Sequence, residues 1–198
     1  MVSAPLTISK GPLSRAVLFF HRGASVFDRK YRRAVAMSAA LALALPAVAA
    51  DFNLPVASRV ISFLQPPPSG AISAAIIFEP GNAVSEAEAA AIERAGPLST
   101  GKGTIHFKRV SVGALGGLAG VRVAFVTSGL RDSQAQIAGA TARLSILTIT
   151  SDLSCVQAAR CIVGISGAPR VQITVNRAAS KAANIQFGSA FLMLVKEI

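Results

Sequence analysis

The chain has 198 residues, a net charge of +11, two cysteines and no tryptophan. Seven of its Lys and Arg residues lie within 1–33, so residues 51–198 hold 13 basic and 8 acidic residues and a net charge of +5. Those 13 are scattered singly, without a basic cluster or interleaved aromatic residues, which argues against a nucleic-acid-binding protein.

The first 50 residues have the pattern of a secretion signal. A basic region, 1–33, precedes the charge-free apolar run 34–45, and Pro46 and a small-residue exit, 47–50, follow. The apolar run is too short for a spanning helix, which needs about 20 apolar residues. We therefore expect a cleavable signal peptide, export to the periplasm, and a mature domain that begins at Asp51.

Short apolar runs and capped helical patterns follow one another up to Thr150. The predicted helices are 54–64, 85–95 and 133–143; the predicted strands are 72–78, 104–110, 121–127 and 144–149; a glycine-rich loop or weak helical turn is predicted at 113–120. Strands that are apolar on both sides are typical of a sheet covered on both faces, as in α/β folds.

Beyond Thr150 the pattern changes. The runs 161–165 and 170–175 flank Ser166-Gly167-Ala168-Pro169, which indicates a β-hairpin, and short helices are predicted at 176–183 and 189–196. The predicted fold class is therefore α/β. It is one domain, 51–198, with a mixed, mostly parallel sheet, helices on both faces and an antiparallel C-terminal hairpin.

Cys155 and Cys161 are separated by five residues. In an oxidising compartment, an even number of cysteines at short spacing favours a structural disulfide. A redox-active pair has tighter C-x-x-C spacing, and a zinc site needs four ligands, for which only His106 is available after residue 50. We expect a disulfide and no metal site.

Motifs for catalysis or cofactor binding are incomplete. The segment 96–104 resembles a P-loop, but Gly103 stands where Ser or Thr should follow Lys102, and the segment lies after a helix and before a strand. The glycines at 113–120 do not form a dinucleotide-binding fingerprint. Nothing therefore predicts a cofactor.

The nucleophile and acid patterns are equally weak. Gly164-Ile165-Ser166-Gly167 lacks the last glycine of a nucleophile elbow, and no pattern pairs Ser166 with His106. The carboxylates Glu86, Glu88 and Glu93 are expected on the solvated face of their helix. We predict no catalytic residue and a protein that is not an enzyme.

The C-terminal segment is strongly apolar. A helix with apolar side chains on every face must bury every face. A partner protein can cover the faces that the sheet leaves exposed. The residues predicted to form this partner or dimer interface are Phe187, Phe191, Leu192, Met193 and Leu194.

The ordered segments 126–130, 146–152 and 170–179, followed by Ile185-Gln186-Phe187 and 191–194, resemble the YfiR family of small periplasmic regulators. This resemblance implies an exported, non-catalytic α/β protein that dimerises. It also implies binding to the periplasmic part of an inner-membrane diguanylate cyclase, which limits cyclic di-GMP and biofilm formation. Cys155 and Cys161 match the family's C-terminal disulfide, whereas a second, more N-terminal cysteine pair is absent.

Two other functions are compatible with the sequence. A small-ligand binding module would have its cleft at the carboxyl ends of the parallel strands, lined by 113–120 and Ser128-Gly129. A secreted hydrolase would need Ser166 as nucleophile and His106 as its base, within hydrogen-bond distance of each other.

Overall fold

The computed structural model describes residues 52–167 and 170–198, so the predicted signal peptide lies outside the described residues. The helices are α1 Leu54–Ser62, α2 Ala83–Arg94, α3 Gln134–Arg143, α4 Leu153–Gln157, α5 Arg177–Ala182 and α6 Ser189–Leu192, with a 3₁₀ helix at Val112–Leu118. The strands are β1 Gly70–Phe78, β2 Leu98–Ser99, β3 Gly103–Ser111, β4 Val123–Val126, β5 Leu147–Thr150, β6 Val163–Ser166, β7 Gln172–Val175 and β8 Lys196–Glu197. Within these ranges, no helix is both long and apolar enough to cross a membrane.

The eight strands form one sheet in the order β2-β3-β1-β4-β5-β6-β7-β8. The five strands from β3 to β6 are parallel to one another, β6 and β7 form the predicted antiparallel hairpin, and β8 pairs parallel with β7. The predicted mixed sheet with its C-terminal hairpin is therefore confirmed.

Both faces of the sheet are covered, as the apolar strands predicted. Along β4, Val123 and Phe125 belong to a core shared with α1, α2, α5 and α6, whereas Ala124 and Val126 belong to a second core shared with α3 and α4. Successive side chains of a strand point to opposite faces, so a strand that is buried on both sides cannot show a polar alternation.

The final helix is shorter than predicted. It ends at Leu192, and after a turn the chain continues as β8, whose Lys196 and Glu197 lie opposite Thr174 and Val175 of β7. Of the predicted helix 189–196, only 189–192 is helical; 193–195 form a turn, and Lys196 begins the edge strand. A strand of two charged residues protects the edge of the sheet against further pairing.

Cys155 and Cys161 form a disulfide at the end of α4, and both are buried. The predicted bond is therefore confirmed.

The bond allows a direct test of its stability contribution. Since it closes a short loop, we expect the Cys155→Ala/Cys161→Ala variant to lose about 2 kcal/mol of unfolding free energy on the chain-entropy relation. Urea denaturation of both proteins, with and without dithiothreitol, measures this loss. Dithiothreitol should destabilise the native chain and leave the variant unchanged; equal stability of the two oxidised proteins would contradict the expectation.

Candidate functional site

A cluster of phenylalanine rings fixes the C-terminal segment to the first helix. Phe191 is 2% exposed, stacks on Phe63 with the ring centroids 5.1 Å apart, and also contacts Phe187. Two backbone hydrogen bonds join the same segments, from the Gly188 amide to the Phe63 carbonyl and from the Gln65 amide to the Gln186 carbonyl. The position of α6 is thus determined by α1.

The turn after α6 is fixed at both ends. The Leu194 amide donates to the Phe191 carbonyl at 2.9 Å, and two residues later β8 joins the sheet. At the chain end, the Ile198 amide donates to the Val175 carbonyl at 3.0 Å. Met193 and Leu194 therefore protrude from an ordered turn; they are 85% and 79% exposed, the highest values among the large apolar residues described.

The residues predicted as an interface divide into two groups. Phe187 and Phe191 lie in the core, and Leu192 is half-buried against it. Only Met193 and Leu194 face solvent. The sequence could not separate the buried part of this segment from its exposed tip, because both are equally apolar; that the segment forms an interface stays a prediction.

A cavity with two basic residues in its wall lies next to α6. A surface cavity of about 360 Å³ lies between α5, α6 and β8, and its walls include Arg177, Lys181 and Leu192, the residue before Met193. Glu197 also lines it and accepts an ion pair from Arg177 at 3.2 Å. Lys181 and Lys196 have no ion pair within the part of the chain that the structure describes. We call the region formed by Arg177, Lys181, Leu192, Met193 and Leu194 the C-terminal edge.

A second polar cluster lies after the carboxyl ends of the central strands β4 and β5. Glu88 of α2 is 1% exposed, although the sequence predicted a solvated position. Its carboxylate accepts hydrogen bonds from the Ser128 amide at 2.6 Å and from the Ser151 hydroxyl. The Ser128 hydroxyl donates in turn to Ser151.

The helix that carries Glu88 begins earlier than predicted, which explains the error. Asn82, not Ser85, is the N-cap, and its side-chain oxygen accepts from the Ser85 amide. Ser85 is buried instead and hydrogen-bonds Thr127 at 2.7 Å. Ser85 and Glu88 have the S-x-x-E spacing of a capping box, which favours a helix start at Ser85. Because they are three residues apart, they lie on one helix face, and both turn toward the sheet.

The hydrolase pair is not assembled, and at the predicted ligand cleft Ser128 takes part in the Glu88 cluster. Ser128 is engaged by Glu88. His106 lies on β3 and Ser166 on β6, with β1, β4 and β5 between them, so the two residues are roughly 19 Å apart at ordinary strand spacing. Ser166 and His106 therefore cannot act on one substrate atom.

The sheet order and the two covered faces define the protein as a mixed α/β fold. No protein-family model matches the chain, and no curated protein matches its sequence.

Two solved structures share this fold. One is a conserved domain protein from Vibrio cholerae O1 biovar El Tor, with 13% identity and a TM-score of 0.52. The other is the ligand-free, open form of a substrate-binding protein with adhesive properties from Clostridium difficile, with 11% identity and a TM-score of 0.55. Each comparison covers 73% of this chain and 58% of the other, so the chain spans less than two thirds of either protein. At these identities the likeness concerns the fold alone.

Proposed function

We propose that this protein is an exported regulator that binds and restrains an inner-membrane signalling enzyme, a diguanylate cyclase. The observation that carries the proposal is the pair Met193 and Leu194, two large apolar side chains that protrude side by side from a fixed turn. Single exposed apolar residues are ordinary, but an adjacent pair beside a cavity is typical of a protein-binding surface. The disulfide agrees with an oxidising compartment.

The resemblance to the YfiR family supports the choice of partner. It covers the segments that build the C-terminal edge, including 170–179 and 191–194. If the regulator binds only one conformation of the cyclase's periplasmic domain, it shifts the population of the cyclase toward that conformation. No catalytic step by the regulator is needed. A regulator of this kind needs a rigid surface more than a reactive group. The dimerisation that the resemblance implies stays a prediction.

Removal of the gene is expected to raise cyclic di-GMP in the native host. The Met193→Ser/Leu194→Ser chain should fail to restore the low level, because it loses the exposed apolar contact while the buried anchor remains. The matched control is Val84→Ser, a 40% exposed apolar residue at the start of α2, which should restore it fully. Cyclic di-GMP is measured by mass spectrometry of cell extracts. An unchanged level after gene removal, with the cyclase present, would contradict the proposal.

A small-ligand binding module is the second candidate. The Clostridium protein of similar fold is a substrate-binding protein, and the 360 Å³ cavity has a size typical of ligand sites. This cavity does not include Ser128 of the predicted cleft, so a ligand that occupies it would bind beside α5. A saturable rise in melting temperature with a single metabolite, lost in Lys181→Ala, would favour this candidate over a protein partner.

A further inference from the structure

We propose that the protein docks peripherally on an anionic phospholipid surface, through the end of the sheet at which the central parallel strands begin. This inference is independent of the proposed function, because it requires neither a protein partner nor a signalling enzyme.

The fold gathers basic residues that are scattered singly along the sequence. Arg122 directly precedes β4, Arg143 ends the helix that leads into β5, and Arg160 lies between α4 and β6. These three strands are parallel, so all three residues lie at the amino ends of β4, β5 and β6. Because β7 is antiparallel to β6, the helix α5 that follows it begins at the same end and adds two more. We call these five residues the basic rim: Arg122, Arg143, Arg160, Arg177 and Lys181.

The segment from α5 to Gln186 connects the basic rim. A cavity of about 390 Å³ is lined by Arg122, Leu144 and residues 184–186, and the 360 Å³ cavity shares 184–186 and adds Arg177 and Lys181. A smaller cavity of about 60 Å³ is lined by Arg160 together with the ends of α3 and α5. The basic rim is therefore one continuous region from β4 to β7, roughly 14 Å of sheet width at ordinary strand spacing.

The charges of the basic rim are accessible. All five residues are exposed. Within the described ranges, only Arg177 forms an ion pair, with Glu197, and that glutamate is the only acid at this end of β4 to β7. Five cations and one anion give this end a local charge of +4.

Acids are concentrated at the other end of the sheet. Of the seven acids that the structure describes, Glu93 pairs with Arg109 of β3 and Glu197 lies at the basic rim. The other five follow β1, β4 or β5 or lie in the first half of α2: Glu79, Glu86, Glu88, Asp132 and Asp152. A molecule with its positive and negative charges at opposite ends turns its positive end toward an anionic surface.

The width of the basic rim and one exposed leucine favour a lipid surface over a single small anion. Cations distributed over four strands exceed the reach of one phosphate group, whereas a membrane presents many. Four of the five are arginines, whose guanidinium groups bind phosphate oxygens through two parallel hydrogen bonds. Leu144 is 50% exposed and shares a cavity wall with Arg122. An apolar side chain among cations is typical of proteins that enter the boundary between headgroups and acyl chains.

Cosedimentation with vesicles tests the inference. The full chain, purified as its host processes it, is mixed with vesicles of phosphatidylglycerol and phosphatidylcholine in equal amounts, or of phosphatidylcholine alone. We expect binding to the first and not to the second. Arg122→Gln/Arg160→Gln should lower the partition coefficient about 25-fold, since each basic residue near an anionic surface contributes about five-fold. Arg122→Lys/Arg160→Lys keeps both charges and should retain binding.

The matched control removes the same charge from the other end of the sheet. Arg131 follows β4, and Arg170 precedes β7 beside the last residue of β6; both are exposed. Arg131→Gln/Arg170→Gln should therefore bind like the native chain. The melting temperature of each double variant is measured to show that it is folded.

Tryptophan fluorescence tests the orientation. The chain has no tryptophan, so Leu144→Trp introduces a single reporter at the basic rim. Its emission should shift to the blue with phosphatidylglycerol vesicles, because the ring enters the interface. Val84→Trp replaces a 40% exposed residue at the start of α2, at the other end of the sheet, and its emission should not change.

The opposite results overturn the inference. They are absence of binding to phosphatidylglycerol vesicles, equal binding to phosphatidylcholine alone, an equal loss in the two Arg→Gln double variants, or a blue shift with Val84→Trp and not with Leu144→Trp. Inorganic phosphate should release no more protein than chloride at the same ionic strength; stronger release by phosphate would indicate a site for one phosphate group. Binding of DNA or of an acidic protein through the basic rim, without vesicle binding, would assign the rim to another macromolecule. The level of cyclic di-GMP after gene removal does not enter these assays, so the inference and the proposed function can fail separately.

Discussion

Phe191→Ala is expected to destabilise the domain by about 3–5 kcal/mol, the usual cost of removing a buried aromatic ring from a core. The ring is 2% exposed and lies between Phe63 of the α1 end and Phe187, with both centroids at 5.1 Å. Its loss would leave a cavity at the joint that holds the C-terminal edge in place. The melting temperature should fall on the order of 10 °C for a domain of this size.

Circular dichroism melting of Phe191→Ala and Met193→Ala gives the comparison. Met193 lies two residues further along the chain and is 85% exposed, so its truncation should change the unfolding free energy by less than about 0.5 kcal/mol. Any loss of partner binding in Phe191→Ala is then an indirect effect of folding, whereas a loss in Met193→Ala is direct. A Phe191→Ala protein that melts with the native chain would show that the phenylalanine cluster does not anchor α6.

The sheet could be predicted from the sequence because its strands carry their own signal. The runs around Ile76 and Phe125 are apolar on both sides, and such a run has no stable position except between two layers. The hairpin could also be predicted from the sequence. Ser166-Gly167 separates two apolar runs, and in the second run Val171, Ile173 and Val175 alternate with polar residues.

The terminal segment could not be divided correctly from its sequence. Residues 189–195 are apolar at nearly every position, so neither a helical nor a strand period dominates. The division at Leu192 depends on two distant partners, Phe63 and β7, which compete for the same short stretch. Met193 and Leu194 are exposed because they lie in the turn between these two anchored parts. No local sequence pattern predicts that exposure.

The buried carboxylate of Glu88 was missed for a related reason. A glutamate near a helix start normally favours the positive end of the helix in water, and that rule decided the prediction. Here the helix begins at Ala83, so Glu88 is more than a turn inside it and faces the ends of β4 and β5. The usable signal was the serine that follows each strand, Ser128 and Ser151, since hydroxyl and amide donors at two strand ends can pair a buried acid.

Glu88→Ala is the second substitution for which we expect a large effect, about 3 kcal/mol of unfolding free energy. Hydrogen bonds to a charged group contribute about 1.5–3 kcal/mol each, and the Ser128 amide and the Ser151 hydroxyl would both lose their acceptor in a partly buried site. Glu88→Gln should lose less, because the amide oxygen still accepts from the Ser128 amide and the amide nitrogen can donate to Ser151. Glu93→Ala is the control on the same helix, since that exposed side chain forms only a 3.9 Å ion pair with Arg109.

Equilibrium urea denaturation of these three variants, of Ser151→Ala and of the Glu88→Ala/Ser151→Ala double variant tests whether Glu88 joins α2 to both strand ends. If it does, Glu88→Ala and Ser151→Ala should not be additive, because the first substitution already removes the acceptor of the second residue. Strict additivity would mean that the two side chains act independently. The network lies at the carboxyl ends of the central strands β4 and β5 and shares no residue with the C-terminal edge, so its loss should lower stability without changing partner binding at Met193 and Leu194. Separating those two effects distinguishes the residues that hold the fold together from the residues that face a partner.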